Sequence, residues 1–165
     1  MSVKAILLGL FLFGTLHLSA QKTELLLSAV RQEYNRIQLL RDLRVVSLDA
    51  EEFLAANPDN GASLKGYFRG DTLLKIVEWI GLSDRVRQTE YFIQNGKLLF
   101  VYACENRYAL QPDGQSIDHS RLEAGTCSRS YYDHGRLFQQ VGDKTTAVNY
   151  NESLRSYAKL LVTRR

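Results

Sequence analysis

Two dipeptides, Asp118-His119 and Asp133-His134, contain the side chains best suited to acid–base or metal chemistry. The third histidine, His17, lies in an apolar N-terminal run. A protein metal site usually needs three or four converging ligands, and a catalytic histidine needs a partner that orients it. Because Asp133-His134 also falls at a predicted turn, where polar residues are expected anyway, the sequence predicts no metal ligand.

The motifs of nucleophilic and nucleotide chemistry are absent from the sequence. It contains no GxSxG, no HExxH, no GxGxxG and no GxxxxGK[ST]. Any two of the 18 acidic residues could converge as a carboxylate pair, but no spacing selects one. The sequence therefore predicts no catalytic residue and no cofactor, and a small envelope hydrolase with unidentified acids is one alternative function.

Two cysteines, Cys104 and Cys127, lie 23 positions apart and show no CxxC spacing. An even number of cysteines in an exported chain favours a disulfide, whereas zinc sites use closely spaced cysteines. Closing this loop would stabilise the fold by about 3 kcal/mol in the chain-entropy model. We predict a Cys104–Cys127 disulfide, with two free buried thiols or a metal pair as the alternatives.

Residues 1–20 have the pattern of a secretory signal peptide. Lys4 supplies a positive charge, and the apolar run at 5–18 is shorter than the roughly 20 residues that span a bilayer. A small residue precedes the expected cleavage site before Gln21. A buried N-terminal helix is the alternative interpretation.

The tripeptide Leu18-Ser19-Ala20 is similar to the start of a bacterial lipoprotein signal, but Gln21 stands where that signal requires cysteine. The mature chain is therefore predicted to carry no lipid anchor, and no later segment is apolar enough to span a membrane. The sequence predicts a periplasmic or secreted protein whose single domain is formed by residues 21–165.

The composition indicates a globular protein with no strong charge bias. The formal net charge is +3 at pH 7, and 45% of the residues are hydrophobic, including nine tyrosines. A chain so close to charge balance has no global field that would favour nucleic acid or an anionic membrane. Neither is predicted as a partner.

Three similar phrases organise the middle of the chain: GYFRGDTLL at 66–74, EYFIQNGKLLF at 90–100 and SYYDHGRLF at 130–138. Each has two aromatic residues, a dipeptide containing glycine, and then a leucine. Glycine accepts the positive φ of a tight turn, so each phrase predicts a β-hairpin. The first aromatic residue and the leucine are six, seven and six positions apart.

Helical patterns flank these hairpins. Apolar residues at helical spacing predict an amphipathic helix over 23–43, capped by Thr23. A short helix is predicted after Asp49, and a C-terminal helix is capped by Asn149 or Asn151. Together these elements predict an α+β fold, in which an N-terminal and a C-terminal helix pack on an antiparallel sheet of about six strands built from three hairpins.

Two outgoing strands carry further information. The segment 97–105 is apolar on both faces, which predicts a central strand covered on both sides. Strict alternation would place Leu98, Phe100 and Tyr102 together on one of those faces. The segment 73–80 breaks alternation, which indicates either a bulge or an edge strand.

The phrases resemble the aromatic–glycine–leucine hairpins of MORN-like repeat proteins, including the YwqK-like antitoxins, and of secreted bacterial proteins with YYxxGxL hairpins. The resemblance covers about 35 residues in three pieces. The aromatic pairs lie 24 and then 40 residues apart, whereas a tandem array keeps a fixed period. The resemblance implies repeated hairpins and assigns no functional residue.

The longest irregular stretch, 106–125, lies between the two cysteines. It is either a functional lobe joined at its base by the disulfide or two strand extensions around the turn at 111–114. The tyrosines at the first aromatic position of each phrase are expected to share one sheet face, as core residues or as a binding platform. The candidate binding residues are Tyr67, Tyr91, Tyr131, Arg107, Tyr108, His119 and Arg121, with Arg69, Arg87 and Arg129 as further rim residues.

Taken together, these patterns predict an exported, non-catalytic binding protein of the bacterial cell envelope. Its partner would be another envelope protein or a glycan ligand. A structural accessory subunit is a further alternative, and the sequence does not define an oligomeric state.

Overall fold

One antiparallel sheet of seven strands forms the centre of the protein, and the strands lie side by side in chain order. The computed structural model describes the backbone of residues 3–142 and 148–165, with side chains from residue 21 onward. The strands are β1 (Arg44–Asp49), β2 (Ala62–Arg69), β3 (Thr72–Gly81), β4 (Arg85–Gln94), β5 (Lys97–Leu110), β6 (Ile117–Asp133) and β7 (Arg136–Gly142). The helices are α1 (Val3–Leu39), α2 (Ala50–Phe53) and α3 (Tyr150–Thr163).

The predicted α+β class with two terminal helices is confirmed, but the sheet has seven strands instead of about six. The additional strand is β1, which pairs only with β2 at the sheet edge. This edge strand lacks a clear apolar pattern because it buries few side chains: Leu48 is buried, while Val45 is half exposed. Edge strands therefore give weak periodic signals.

Helix α1 differs from its prediction at both ends. It ends at Leu39 rather than at residue 43, and Thr23 lies inside it rather than at an N-cap. The side chains of the predicted signal peptide, residues 1–20, lie outside the described part of the chain. Within the described residues, no helix combines the length and apolar character that crossing a bilayer requires.

The C-terminal helix begins as predicted. The side chain of Asn149 accepts a hydrogen bond from the backbone N–H of Glu152, which satisfies one of the unpaired donors at the helix start. The second candidate cap, Asn151, instead donates its amide to the carbonyl of Gly135 at 3.1 Å. This bond joins α3 to the turn between β6 and β7.

All three predicted hairpins form. Asn95 and Gly96 have φ of 52° and 73°, and His134 and Gly135 have φ of 51° and 83°, as a type I′ turn requires. In the first hairpin only Gly70, the first central residue of the turn, has a positive φ, of 55°. This is the pattern of a type II′ turn.

Each hairpin also contains a β-bulge at the same distance from its turn. The register shifts by one residue in all three, which leaves Leu74, Leu99 and Phe138 as the extra residues of the outgoing strands. A bulge places two successive side chains on one face. The bulge at Leu74 also explains the broken alternation of β3, which is an interior strand.

The bulge at Leu99 corrects one prediction. Leu98 packs under α3, whereas Leu99 and Phe100 both pack toward α1, so Leu98 and Phe100 do not share a face. Simple alternation fails because it ignores the inserted residue. The prediction that this strand is covered on both sides is confirmed.

The tyrosines of the three phrases do not share one face, contrary to expectation. Tyr91 packs under α3, whereas Tyr131 and Phe92 pack toward α1. Tyr67 is also on the α1 face, because the Lys75 ammonium lies over both Tyr67 and Phe92. The reason is that the aromatic pair of the middle phrase lies one residue farther from its turn than the pairs of the other two phrases. The spacing of seven residues between its first aromatic residue and its leucine, instead of six, reflects this difference.

Each face of the sheet therefore has its own apolar core. Under α1, Val30 and Ile37 pack on buried leucine and phenylalanine side chains of the bulged hairpins. Under α3, Leu154 and Leu161 pack on the opposite face. A Cβ atom on Gly66 would lie 2.9 Å from a methyl carbon of Leu161, so a larger residue here would force that side chain to shift where α3 approaches the sheet.

The segment 106–125 forms two strand extensions around a turn. β5 and β6 remain paired as far as Leu110 and Ile117, and Asp113 accepts backbone hydrogen bonds within the turn. The Cys104–Cys127 disulfide is confirmed, and it joins residues that lie directly opposite each other in these strands.

Candidate functional site

An open cleft of about 350 Å³ lies between α1 and the face formed by β5 and β6. Helix α1 contributes Val30, Arg31 and Tyr34 to its wall. The two strands contribute its floor and far side, which are formed by Phe100, Tyr102, Arg129 and Tyr131. We call this site the α1 cleft.

The strand register positions the four sheet residues of the α1 cleft. Phe100 is directly opposite Tyr131, and Tyr102 is directly opposite Arg129. Alternate residues of a strand point to the same face, so these two cross-strand pairs are neighbours on the α1 side. The disulfide forms the next pair of this series and fixes the separation of the two strands beside the cleft.

The aromatic side chains around the cleft pack against one another. The rings of Tyr34 and Phe100 meet edge to face with centroids 5.6 Å apart, and Phe100 and Tyr131 are 5.1 Å apart. Such aromatic pairs add about 0.5–1.5 kcal/mol each beyond area burial. Phe100 is buried, whereas Tyr102 and Tyr131 are only partly buried, so the tyrosine rings remain available to a ligand.

The α1 cleft is positively charged. The Arg129 guanidinium lies over the Tyr102 ring, 5.4 Å from its centroid, and no carboxylate of the described residues is within ion-pair distance. Arg31 pairs with Glu24 at 3.4 Å, but both side chains are well exposed and such pairs contribute little. No acidic residue of the described part of the chain lines the cleft, which therefore favours an anionic group.

A second, smaller cleft of about 200 Å³ lies on the α3 face, between α3 and strands β3, β4 and β5. It includes Glu78, which accepts a hydrogen bond from the Tyr157 hydroxyl at 2.5 Å. Glu105 also lines it and forms an ion pair with Arg85 at 3.5 Å. Because both carboxylates already have partners, these contacts contribute chiefly to holding α3 and the strands together.

Tyrosines on the α3 face have raised pKa values. Burial raises the pKa of Tyr132 to about 12, and burial also raises the pKa values of Tyr91, Tyr150 and Tyr157 above the ordinary value. The carboxylate of Glu78 adds to the effect at Tyr91 and Tyr157. The folded protein therefore keeps these hydroxyls neutral at a pH where an unfolded chain ionises them.

We expect the free energy of unfolding to fall as the pH rises above about 10, the tyrosine pKa of an unfolded chain. Above that pH the unfolded state binds fewer protons than the folded state, so stability decreases by up to about 1.4 kcal/mol per pH unit for each buried tyrosine that stays protonated. For Tyr132 the loss continues to about pH 12.

Urea unfolding from about pH 9 to about pH 12 measures this fall. The Tyr132→Phe variant is the control, because it removes one ionisable group and should flatten the curve. A stability that stays constant across this range would contradict the burial of these hydroxyls.

The predicted binding residues of the hairpin phrases fall in three different environments. Tyr131 lines the α1 cleft, and Tyr67 lies on the same face outside it, 5.7 Å from the Lys75 ammonium. Tyr91 is 1% exposed in the core under α3. Only Tyr131 among these three is therefore in a position to contact a ligand in the α1 cleft.

The other predicted residues lie at the opposite end of the sheet from the three tight turns. The rings of Tyr108 and His119 meet edge to face at 4.6 Å, and His119 Nδ1 is 3.3 Å from the side-chain nitrogen of Asn60. Arg107 and Arg121 are exposed nearby on β5 and β6. These residues pack against one another at that end of the sheet and do not line the α1 cleft.

Sequence reasoning did not assign Arg31, Tyr34 or Tyr102 to the site. The predicted disulfide could have indicated that Tyr102 lies beside Arg129. If the two cysteines lie opposite each other in antiparallel strands, counting two residues along each strand pairs Tyr102 with Arg129. The helix residues could not be found in this way, because their position depends on how α1 docks.

Comparisons with protein-family models, with curated proteins and with solved structures gave no match to this chain. The fold and the cleft define an α+β protein with a seven-stranded antiparallel meander, a helix on each face and a cationic aromatic cleft under one of them.

Proposed function

We propose that this chain is an exported, non-catalytic binding protein of the bacterial cell envelope, and that its ligand occupies the α1 cleft. The signal-peptide pattern of residues 1–20 supports export. The Cys104–Cys127 disulfide is compatible with an oxidising compartment outside the cytoplasm.

The observation that carries this proposal is the cleft itself: partly exposed tyrosine rings lie beside an arginine that has no carboxylate partner among the described residues. Its sheet residues are held by strand pairing on both sides and by the adjacent disulfide. A site that is ordered before the ligand arrives loses less conformational entropy on binding.

The lining of the α1 cleft favours binding over catalysis. It consists of aromatic, aliphatic and arginine side chains. Among the described lining residues there is no histidine, carboxylate or lysine of the kind that usually transfers protons. The lining side chains can therefore bind a ligand, but they do not include a group suited to proton transfer.

Tyr102→Ala is expected to weaken binding to isolated cell-envelope material by about tenfold, because it removes a ring contact and the surface that supports Arg129. Tyr131→Ala should have a similar effect. Cosedimentation of the purified mature protein with washed envelope fragments measures the apparent affinity.

Tyr67→Ala is the matched control, because Tyr67 lies on the same face but outside the cleft. Circular dichroism should first show that all three variants are folded. Equal binding by wild type and both cleft variants, or an equal loss in the control, would reject the α1 cleft as the binding site.

A further inference from the structure

We infer that the α1 cleft binds an acidic oligosaccharide, whose sugar ring packs on the tyrosine side chains while its carboxylate pairs with Arg129. This inference rests on the proposed function and specifies its ligand class. It follows from the charge of the cleft, its aromatic surface, its size and the pairing of the strands beneath it.

The charge of the cleft selects an anion. Arg129 has no carboxylate partner among the described residues, and Arg31 adds a second guanidinium to the lining. A guanidinium presents two parallel N–H donors that match the two oxygens of a carboxylate. The Arg129 guanidinium lies over the Tyr102 ring, which places this fork beside the cleft.

The aromatic surface selects a ligand with flat, C–H-rich faces. The π-face of a tyrosine ring is electron-rich, and the polarised C–H bonds on one side of a pyranose ring pack favourably on it. Tyr102 and Tyr131 are partly exposed, and among the described residues neither hydroxyl has a hydrogen-bond partner. These hydroxyls can bind sugar hydroxyls beside the ring contact.

The strand pairing argues against an extended peptide. Tyr102 is paired with Glu90 on one side and with Arg129 on the other, and Arg129 is also paired with Val141. Interior strands offer no free edge to which a peptide could add as a further strand. A saccharide does not need backbone pairing, because rings, hydroxyls and arginines supply its contacts.

The size of the cleft indicates a short contact with a longer ligand. Its volume of about 350 Å³ is near the lower limit for small-molecule sites, which is roughly 300 Å³. The cleft is open to solvent, so an oligosaccharide can place one acidic residue against Arg129 and extend outward. An internal acidic sugar of a polymer would fit as well as a terminal one.

The test is isothermal titration of the mature protein with trigalacturonate and, separately, with its fully methyl-esterified form. The two probes have the same rings, but the ester has no carboxylate charge. We expect trigalacturonate to bind at least about tenfold more tightly than the ester, and its affinity to fall as salt is raised.

Arg129→Gln should lower the affinity for trigalacturonate by about tenfold or more, and Arg129→Lys should restore only part of it because lysine lacks the planar fork. Arg87→Gln is the matched control, since Arg87 lines the cleft on the α3 face. This control should bind like the wild type.

Equal binding of the acid and the ester, equal losses in the two glutamine variants, or no binding of trigalacturonate would overturn the inference. Preferential binding of an acidic peptide of the same charge would also overturn it. If envelope binding still depends on Tyr102 in any of these cases, the proposed function stands without this ligand class. If that dependence is also absent, the proposed function fails as well.

Discussion

The Tyr91→Ala variant is expected to lose about 3–5 kcal/mol of unfolding free energy, the range for removing a large aromatic side chain from a core. Tyr91 is 1% exposed, and its ring meets those of Tyr150 and Tyr157 at 5.9 Å in edge-to-face contacts. The substitution leaves a cavity between β4 and α3 that the paired strands cannot close.

Urea denaturation followed by circular dichroism measures this loss. A domain of this size has a total stability of about 5–15 kcal/mol, so the variant should unfold at a much lower urea concentration. Tyr67→Ala should cost less than about 1 kcal/mol because that ring is half-buried at the sheet surface. Similar losses in the two variants would mean that Tyr91 is not the core residue described here.

The second large effect is expected from the disulfide. Replacing Cys104 and Cys127 together by serine should lower the free energy of unfolding by about 3 kcal/mol, because the unfolded chain regains the freedom of a loop of 23 residues. The same change releases the strands beside the α1 cleft. Binding through that cleft should therefore weaken in the serine variant even under conditions where it remains folded.

Urea titrations with and without a thiol reductant separate the cross-link from the substitutions. The reductant should shift the midpoint of the wild type and leave the double-serine variant unchanged. A wild-type midpoint that does not respond to reductant would show that the cross-link does not contribute to stability. The experiment requires protein produced with residues 1–20 in an exporting host, where the disulfide can form.

Local backbone chemistry made much of the fold predictable. Asn95-Gly96 demands a tight turn because both residues accept positive φ, and the polar side chain of Asn149 marks the start of α3. The disulfide could be predicted because export and an even cysteine count leave only one pairing within the chain. Each of these features depends on a few neighbouring residues.

The side-chain faces and the cleft were harder to predict because they depend on distant contacts. The bulge at Leu99 reverses the alternation of β5, and it forms where the leucine can pack against α1. Tyr91 and Tyr131 occupy the same position in their phrases, but their distances from the turn differ by one residue, so they point to opposite faces of the sheet. The α1 cleft further requires a helix that is separated from β5 by four strands along the chain.

The order of the strands has a consequence for how the chain folds. Because every strand pairs with its neighbour along the chain, most sheet contacts close short loops, which is the topology associated with rapid folding among β-rich proteins. Helix α1 is the exception. It is synthesised before every strand on which it packs, so its apolar side must wait for them. That side therefore stays exposed until the fifth and sixth strands have been made.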